Sequence, residues 1–315
     1  MIELSSSNIK ICINKKGAEL SSFYQKNSSV EYVWQADPSI WPWHAPNLFP
    51  IVGGLVNNEL YVDGDAYSLQ RHGFARHSDF ILIESSGSHA IFSLRYNEDT
   101  LISYPYHFEF QLIYHLQDSN LTCTYKVINL ESKTIWFSLG GHPAFNVPFF
   151  PDEKYEDYFL EFSQDELLLR HHLSAAGYFN NETSSLTLDD KKLWLKPDLF
   201  QNDALVFKQL QSREVTLRSK NHTHSLTVSF ADFNSLGVWA KPNAPFVCIE
   251  PWLGYADREN NKASIQEKEG IISLLPGHVF EATYSVRGRF LVVEEWTTKF
   301  IRSLQMIMQK KKTNY

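Results

Sequence analysis

Phe108-Glu109-Phe110-Gln111-Leu112-Ile113-Tyr114-His115-Leu116 is followed, after Asp118-Ser119-Asn120, by Leu121-Thr122-Cys123-Thr124-Tyr125-Lys126-Val127. Side chains alternate across a strand with a period of two, so Phe108, Phe110, Leu112, Tyr114 and Leu116 fall on one face. Leu121, Cys123, Tyr125 and Val127 do the same in the second run, and the Asp-Ser-Asn turn makes the two an antiparallel hairpin. The same signature spreads outward. Residues 90–96 put Phe92, Leu94 and Tyr96 together, and 135–139 read as a fourth strand of this series. Toward the N-terminus, Ile9, Ile11 and Ile13 alternate with polar neighbours before a second run at 18–23 and a third at 30–34. Residues 60–69 carry Asp63-Gly64 between apolar residues, a hairpin turn signal.

Further short strands are expected at 158–162, 204–207, 215–218, 226–230, 237–240 and 280–286. The stretch 147–199 is less regular and includes polar loops such as 180–185. No long amphipathic helix is expected before residue 288, and no Gly/Ser-rich linker divides the chain. Many short strands without helices indicate an all-β sandwich or barrel, taken as one unit over residues 1–288. The tail, 289–315, differs: Val293, Trp296, Phe300, Leu304 and Ile307 recur at helical spacing, which predicts a C-terminal amphipathic helix.

Composition narrows the function. With 43% hydrophobic residues, 22 Phe, 15 Tyr and 8 Trp, the 315-residue chain can fill a large sandwich and still line a cleft with aromatic rings. A formal charge of −7 argues against a nucleic-acid partner. Cys12, Cys123 and Cys248 are scattered and odd in number, pointing to a reducing compartment rather than a disulfide framework or zinc site. With no leader pattern and no apolar window of membrane length, a cytoplasmic protein without membrane association is expected.

Four positions carry chemistry. Glu250 ends an apolar run in Val247-Cys-Ile-Glu-Pro-Trp-Leu-Gly-Tyr-Ala-Asp257, where Pro251 and Gly254 suggest that the strand stops. A carboxylate beside Trp252 and Tyr255 is partly desolvated and suited to exchanging protons near neutral pH; equally, it suits a strand-terminal Glu bonded to the next loop. His142 lies in Gly-Gly-His-Pro-Ala-Phe, where it is either a proton donor held by a stiff backbone or a turn residue. His72, in Arg-His-Gly-Phe-Ala-Arg, and Asp203, in Asn-Asp-Ala-Leu, sit at loops or strand ends.

These segments together resemble the aldose 1-epimerases (galactose mutarotases), in the LacX-like branch. The matching stretches are Asn47-Leu-Phe-Pro-Ile-Val-Gly53, 71–76, 140–145, 199–207 and Val238-Trp-Ala-Lys-Pro-Asn-Ala-Pro-Phe-Val-Cys-Ile-Glu-Pro-Trp252 onward, in family order over roughly residues 5–288. The resemblance implies a large antiparallel β-supersandwich of the galactose mutarotase-like type. It also implies interconversion of sugar anomers, with no cofactor and no metal. Glu250 would be the general base at the C1 hydroxyl and His142 the general acid at the ring oxygen. His72 would hold that oxygen, and Asp203 would bind sugar hydroxyls. Arg71, Arg76 and Lys241 would orient hydroxyls, with Trp41, Trp43 or Trp252 stacked on the sugar.

Two departures bear on substrate. Ala45-Pro46 stands where sugar-phosphate epimerases of the superfamily carry an arginine, and Gly54-Leu55-Val56-Asn57 stands where galactose mutarotases proper have one. The expected partner is a small sugar, and the protein a monomer or homodimer. The competing readings are a carbohydrate-binding protein without catalysis, an epimerase of a phosphorylated hexose, a metal hydrolase, and a glycoside hydrolase using Asp203 with Glu250.

Overall fold

In the computed structural model, which describes residues 1–260 and 263–289, the deciding hairpin is formed by strands Phe108–Gln117 and Asn120–Asn129. They pair antiparallel from Phe108↔Asn129 to Gln117↔Asn120. The alternation buries Phe108, Phe110, Leu112 and Tyr114 on one face while Glu109, Gln111 and His115 keep some solvent contact. This hairpin lies in a nine-stranded sheet ordered Lys192–Trp194, Tyr158–Phe162, Glu214–Ser219, Ser225–Ser229, Val279–Arg289, Asn120–Asn129, Phe108–Gln117, His89–Arg95 and Ile81–Ser85.

An eight-stranded sheet faces it, in the order Phe179–Leu186, Leu168–Leu173, Leu205–Lys208, Ser235–Trp239, Phe246–Leu253, Leu139–Gly141 and Asn47–Leu48, with Ala144–Asn146 also on Phe246–Leu253. The strands Ile2–Ser5, Ile9–Ile13, Leu20–Gln25 and Val30–Glu31 form a separate four-stranded sheet. The described α-helix, Glu98–Ser103, is one and a half turns long, capped where Thr100 N–H donates to Asn97 Oδ1 at 2.9 Å. No helix among the described residues is long and apolar enough to cross a membrane.

Aromatic rings join the two large sheets. Phe49 stacks on Phe110 at 4.4 Å between centroids, and Phe110 in turn on Tyr125 at 5.9 Å. The polar ends inside this core are satisfied: Tyr125 Oη donates to Asn47 Oδ1 at 2.8 Å, and Asn47 Nδ2 donates to the Gly17 carbonyl at 2.9 Å. The architecture is the expected all-β supersandwich.

Three local expectations are corrected. Residues 135–139 are not one strand beside the central hairpin. The chain turns at buried Ser138, so Ile135–Phe137 pairs with Ile272–Leu274 while Leu139–Gly141 joins the eight-stranded sheet. Ser138 is committed elsewhere, accepting the Val52 N–H at its hydroxyl and donating its own N–H to the Pro50 carbonyl. Residues 180–185 lie inside the edge strand Phe179–Leu186, which pairs on one side only and keeps its side chains largely in water. The strand bearing Glu250 does not stop there but runs to Leu253, pairing Gly237↔Glu250 and Leu236↔Pro251 with its neighbour. On its other side Pro251 comes just past Gly140↔Trp252, the last pair of the ladder with Leu139–Gly141, where the missing N–H breaks no continuing pairing. Of the expected C-terminal helical tail, 289–315, Arg289 ends the strand Val279–Arg289 and the rest lies outside the described residues.

Candidate active site

Within Phe246–Leu253, alternate residues Phe246, Cys248, Glu250 and Trp252 share one face. Trp252 fits because its neighbour in the adjoining strand is a glycine: a Cβ on Gly237 would come within 2.7 Å of the indole ring. The register pairing Gly140 with Trp252 and Ala144 with Cys248 leaves His142 opposite Glu250. The His142 backbone N–H is fixed by the Pro46 carbonyl at 3.0 Å, and the imidazole Nε2 stands 3.1 Å from Glu250 Oε2. Trp41 stacks on the imidazole at 5.2 Å and Trp239 meets it edge-on at 5.9 Å.

His72 reaches the same place from a loop. Its backbone is left-handed, with φ 67°, and the following Gly73 also has positive φ; a Cβ there would strike the Phe49 carbonyl oxygen at 2.2 Å. The Gly53 carbonyl accepts the His72 N–H at 2.9 Å, and the Gly53 N–H donates to His72 Nδ1 at 3.1 Å. Nδ1 is therefore the acceptor, and the neutral ring carries its proton on Nε2. The ring lies edge-on to His142 at 5.7 Å.

Arg71, His72, His142, Asp203, Glu250 and Trp252 line one cleft of about 350 Å³. Arg76, Trp41 and Trp239 line it too. Arg71 is steadied by donating to the Ala176 carbonyl at 2.7 Å, and Arg76 by donating to the Arg71 carbonyl at 3.0 Å and lying over Trp43 at 5.3 Å. Among the described residues neither guanidinium has a carboxylate within salt-bridge distance. Asp203, also left-handed at φ 64°, accepts the Ala204 N–H at 2.7 Å and keeps its second oxygen for the cleft.

Lys241 is corrected. Two residues past Trp239 the chain has left its strand for a turn, so the ammonium donates to the Ile40 carbonyl at 2.9 Å. Its stem lines a different, apolar cavity of about 230 Å³ with Pro148, Tyr155 and Pro245. Trp43, packed beneath Arg76, is also not in the cleft wall. Sequence reasoning missed Trp239, although it stands in the matched Val-Trp-Ala-Lys stretch at the period-two position that faces the cleft.

The electrostatics are set by burial. Glu250 is 1% exposed, and desolvation, then the nearby Asp203 charge, push its pKa well above the ordinary carboxylate value, with the Trp252 indole N–H the opposing influence. His142 is lowered to about 3, chiefly by desolvation, with Arg76 adding to the effect. His72 is likewise held well below its usual value by burial, then by His142 and the two arginines. Burial therefore disfavours the charged form of both groups. His142, Cys248 and Glu250 also offer one donor atom each within 4.8 Å of one another. The Cys248 thiol is raised well above its ordinary pKa by burial and by Glu250, which makes it a poor ligand at neutral pH.

A family model for aldose 1-epimerase matches residues 1–287. The chain belongs to the aldose 1-epimerase family. It is 35% identical to the chromosomal LacX protein of Lactococcus lactis over 294 residues, covering 90% of this chain and 98% of that protein. Among solved structures, a galactose mutarotase related enzyme from Lactobacillus acidophilus superposes with a TM-score of 0.88 at 35% identity, over 92% of this chain and 97% of the other. A galactose mutarotase-like protein from Lactobacillus casei gives 0.87 at 31% identity, over 92% and 100%. This epimerase family is an isomerase family, and its sandwich is the one described above.

Proposed function

We propose that this aldose 1-epimerase family member interconverts the α and β anomers of an aldohexose, with Glu250 as general base and His142 as general acid. The observation that carries the reading is the buried His142–Glu250 pair, 3.1 Å apart, in the wall of a sugar-sized cleft. The two hemiacetal oxygens share one carbon, so an acid and a base standing side by side reach both. A C1 hydroxyl donating to Glu250 favours the carboxylate, and a ring oxygen accepting from His142 Nε2–H favours the imidazolium. The sugar itself thus draws the pair into its ionised form.

Glu250 then takes the hydroxyl proton, the electron pair forms the aldehyde C=O, and the C1–O5 bond breaks as O5 takes the His142 proton. This leaves a carboxylic acid and a neutral imidazole, the state that burial favours. Rotation about C1–C2 presents the other aldehyde face, and the same transfers run backward. The His72 Nε2–H supports the ring oxygen, Asp203 and Arg71 hold hydroxyls, and Trp252 contributes apolar wall.

The test is the rate at which fresh α-glucose and α-galactose approach anomeric equilibrium, followed by polarimetry. Acceleration over buffer is expected; sugar binding with no acceleration would turn the reading to a binding protein. Arg71 and Arg76 in the cleft favour a second reading, a hexose phosphate. A kcat/KM for α-glucose 6-phosphate far above that for α-glucose would select it.

A further inference from the structure

A second cavity of about 540 Å³ opens beside the catalytic cleft and shares Leu173, Asp203 and Trp239 with it. Both volumes fall in the range of roughly 300–1,000 Å³ typical of small-molecule sites. Neither His142 nor Glu250 lines this outer trough, so it has no direct part in proton transfer. Its wall chemistry differs from the arginine end of the cleft. Ser174, Asn180, Gln201, Asn202 and His172 supply hydroxyl, amide and imidazole groups, Glu182 and Asp203 supply carboxylates, and no lysine or arginine lines it. Such a wall rejects an anion and matches a neutral, hydroxyl-rich ligand that both gives and accepts hydrogen bonds.

Two details make the trough continuous with catalysis. Trp239, half-buried, borders both cavities while its ring touches His142 edge-on, so its plane forms the threshold between them. Asp203 likewise faces both, which lets one carboxylate meet hydroxyls on either side. Behind the threshold the Ser174 hydroxyl is buried without a hydrogen-bond partner. The Gln201 and Asn202 side chains stand exposed on the rim, and the loop beneath them is held where Arg170 donates to the Asn202 carbonyl at 2.7 Å.

We propose that the trough is a second sugar subsite, so that the substrates include reducing disaccharides whose reducing-end ring lies on His142 and Glu250 and whose second ring lies beyond Trp239. The proposal rests on the mutarotase reading of the cleft. It adds a prediction that the cleft alone does not make: affinity for a disaccharide depends on side chains that a monosaccharide never touches.

The experiment measures anomeric exchange by NMR for α-glucose, maltose, cellobiose and melibiose with wild type, the Gln201→Ala/Asn202→Ala double variant and Ala175→Trp, which fills the trough from an exposed position. Each lost hydrogen bond is expected to raise KM for the preferred disaccharide about 3- to 10-fold, and Ala175→Trp by more, with glucose kinetics unchanged within about 2-fold. Equal shifts for glucose and every disaccharide, or no shift for any, would overturn the subsite. If wild type accelerates no sugar, the mutarotase reading falls by itself. The subsite is then read from NMR-titrated Kd values: a shift confined to disaccharides supports it, and its absence overturns it.

Discussion

Two histidine–glutamate pairs of the molecule have the same separation and opposite character, one buried and one half-buried. In the cleft, His142 Nε2 stands 3.1 Å from Glu250 Oε2; beside the strands Tyr158–Phe162 and Glu214–Ser219, His222 Nε2 stands 3.1 Å from Glu153 Oε2. Glu153 accepts from Tyr158 Oη, from Ser219 Oγ at 2.8 Å and from His222. Although desolvation works against it, these bonds and the His222 charge hold its pKa below the ordinary value. Glu250 Oε2 has no hydrogen bond, and its pKa moves the other way. A carboxylate whose lone pairs are all occupied by protein is structure. One left unsatisfied among aromatic rings is kept ready for a proton that the substrate brings.

The sharpest way to break this contrast is to make the same substitution in both pairs. Glu250→Gln and His142→Gln are each expected to lower kcat/KM for mutarotation by about 10²- to 10⁴-fold, the range for a lost general acid or base, while Glu153→Gln leaves it near wild type. Stability should answer in the reverse order. Glu153→Gln disturbs three bonds to a half-buried carboxylate and should cost about 1–3 kcal/mol in denaturant unfolding, with a lower Tm.

Glu250→Gln should instead raise Tm at neutral pH. Unfolded Glu250 ionises near its ordinary 4.5 whereas the folded group keeps its proton to higher pH, so wild type loses stability as pH rises above that value; glutamine does not. The two proteins should converge below about pH 4.5. For His142 the sign is opposite: with a folded pKa of about 3 against 6.5 unfolded, stability rises with pH across that window. The smallest effect is on the pH–rate profile. It should lack the limb near 6.5 that a histidine of ordinary pKa would give.

Much of this was legible in the chain because period-two alternation reports a strand with one wet and one dry face. It was legible at 108–127, where the hairpin came out as read, and illegible where that condition fails. Strand Phe179–Leu186 is wet on most positions and looks like a loop, while Phe246–Leu253 is dry throughout and hides its continuation past Pro251. Ser138, which splits one apolar run between two sheets, does so through bonds of its hydroxyl to distant Val52 and of its N–H to Pro50 that no local pattern encodes. In the site, His72, His142, Asp203 and Glu250 were visible as polar residues in stiff or apolar contexts, and the structure brings them to one cleft. The side-by-side placement of His142 and Glu250 depends on the register of three strands, and Lys241 leaves the cleft because its strand ends at Trp239.

The most direct measurement is the infrared difference spectrum of wild type against Glu250→Gln and Glu153→Gln at pH 7, read in the carbonyl region of protonated carboxylic acids. A protonated-acid band in wild type that disappears in Glu250→Gln and survives in Glu153→Gln is the expected result. No such band in wild type, or a band that disappears only with Glu153→Gln, would contradict the assignment of the neutral, reactive carboxyl to the cleft.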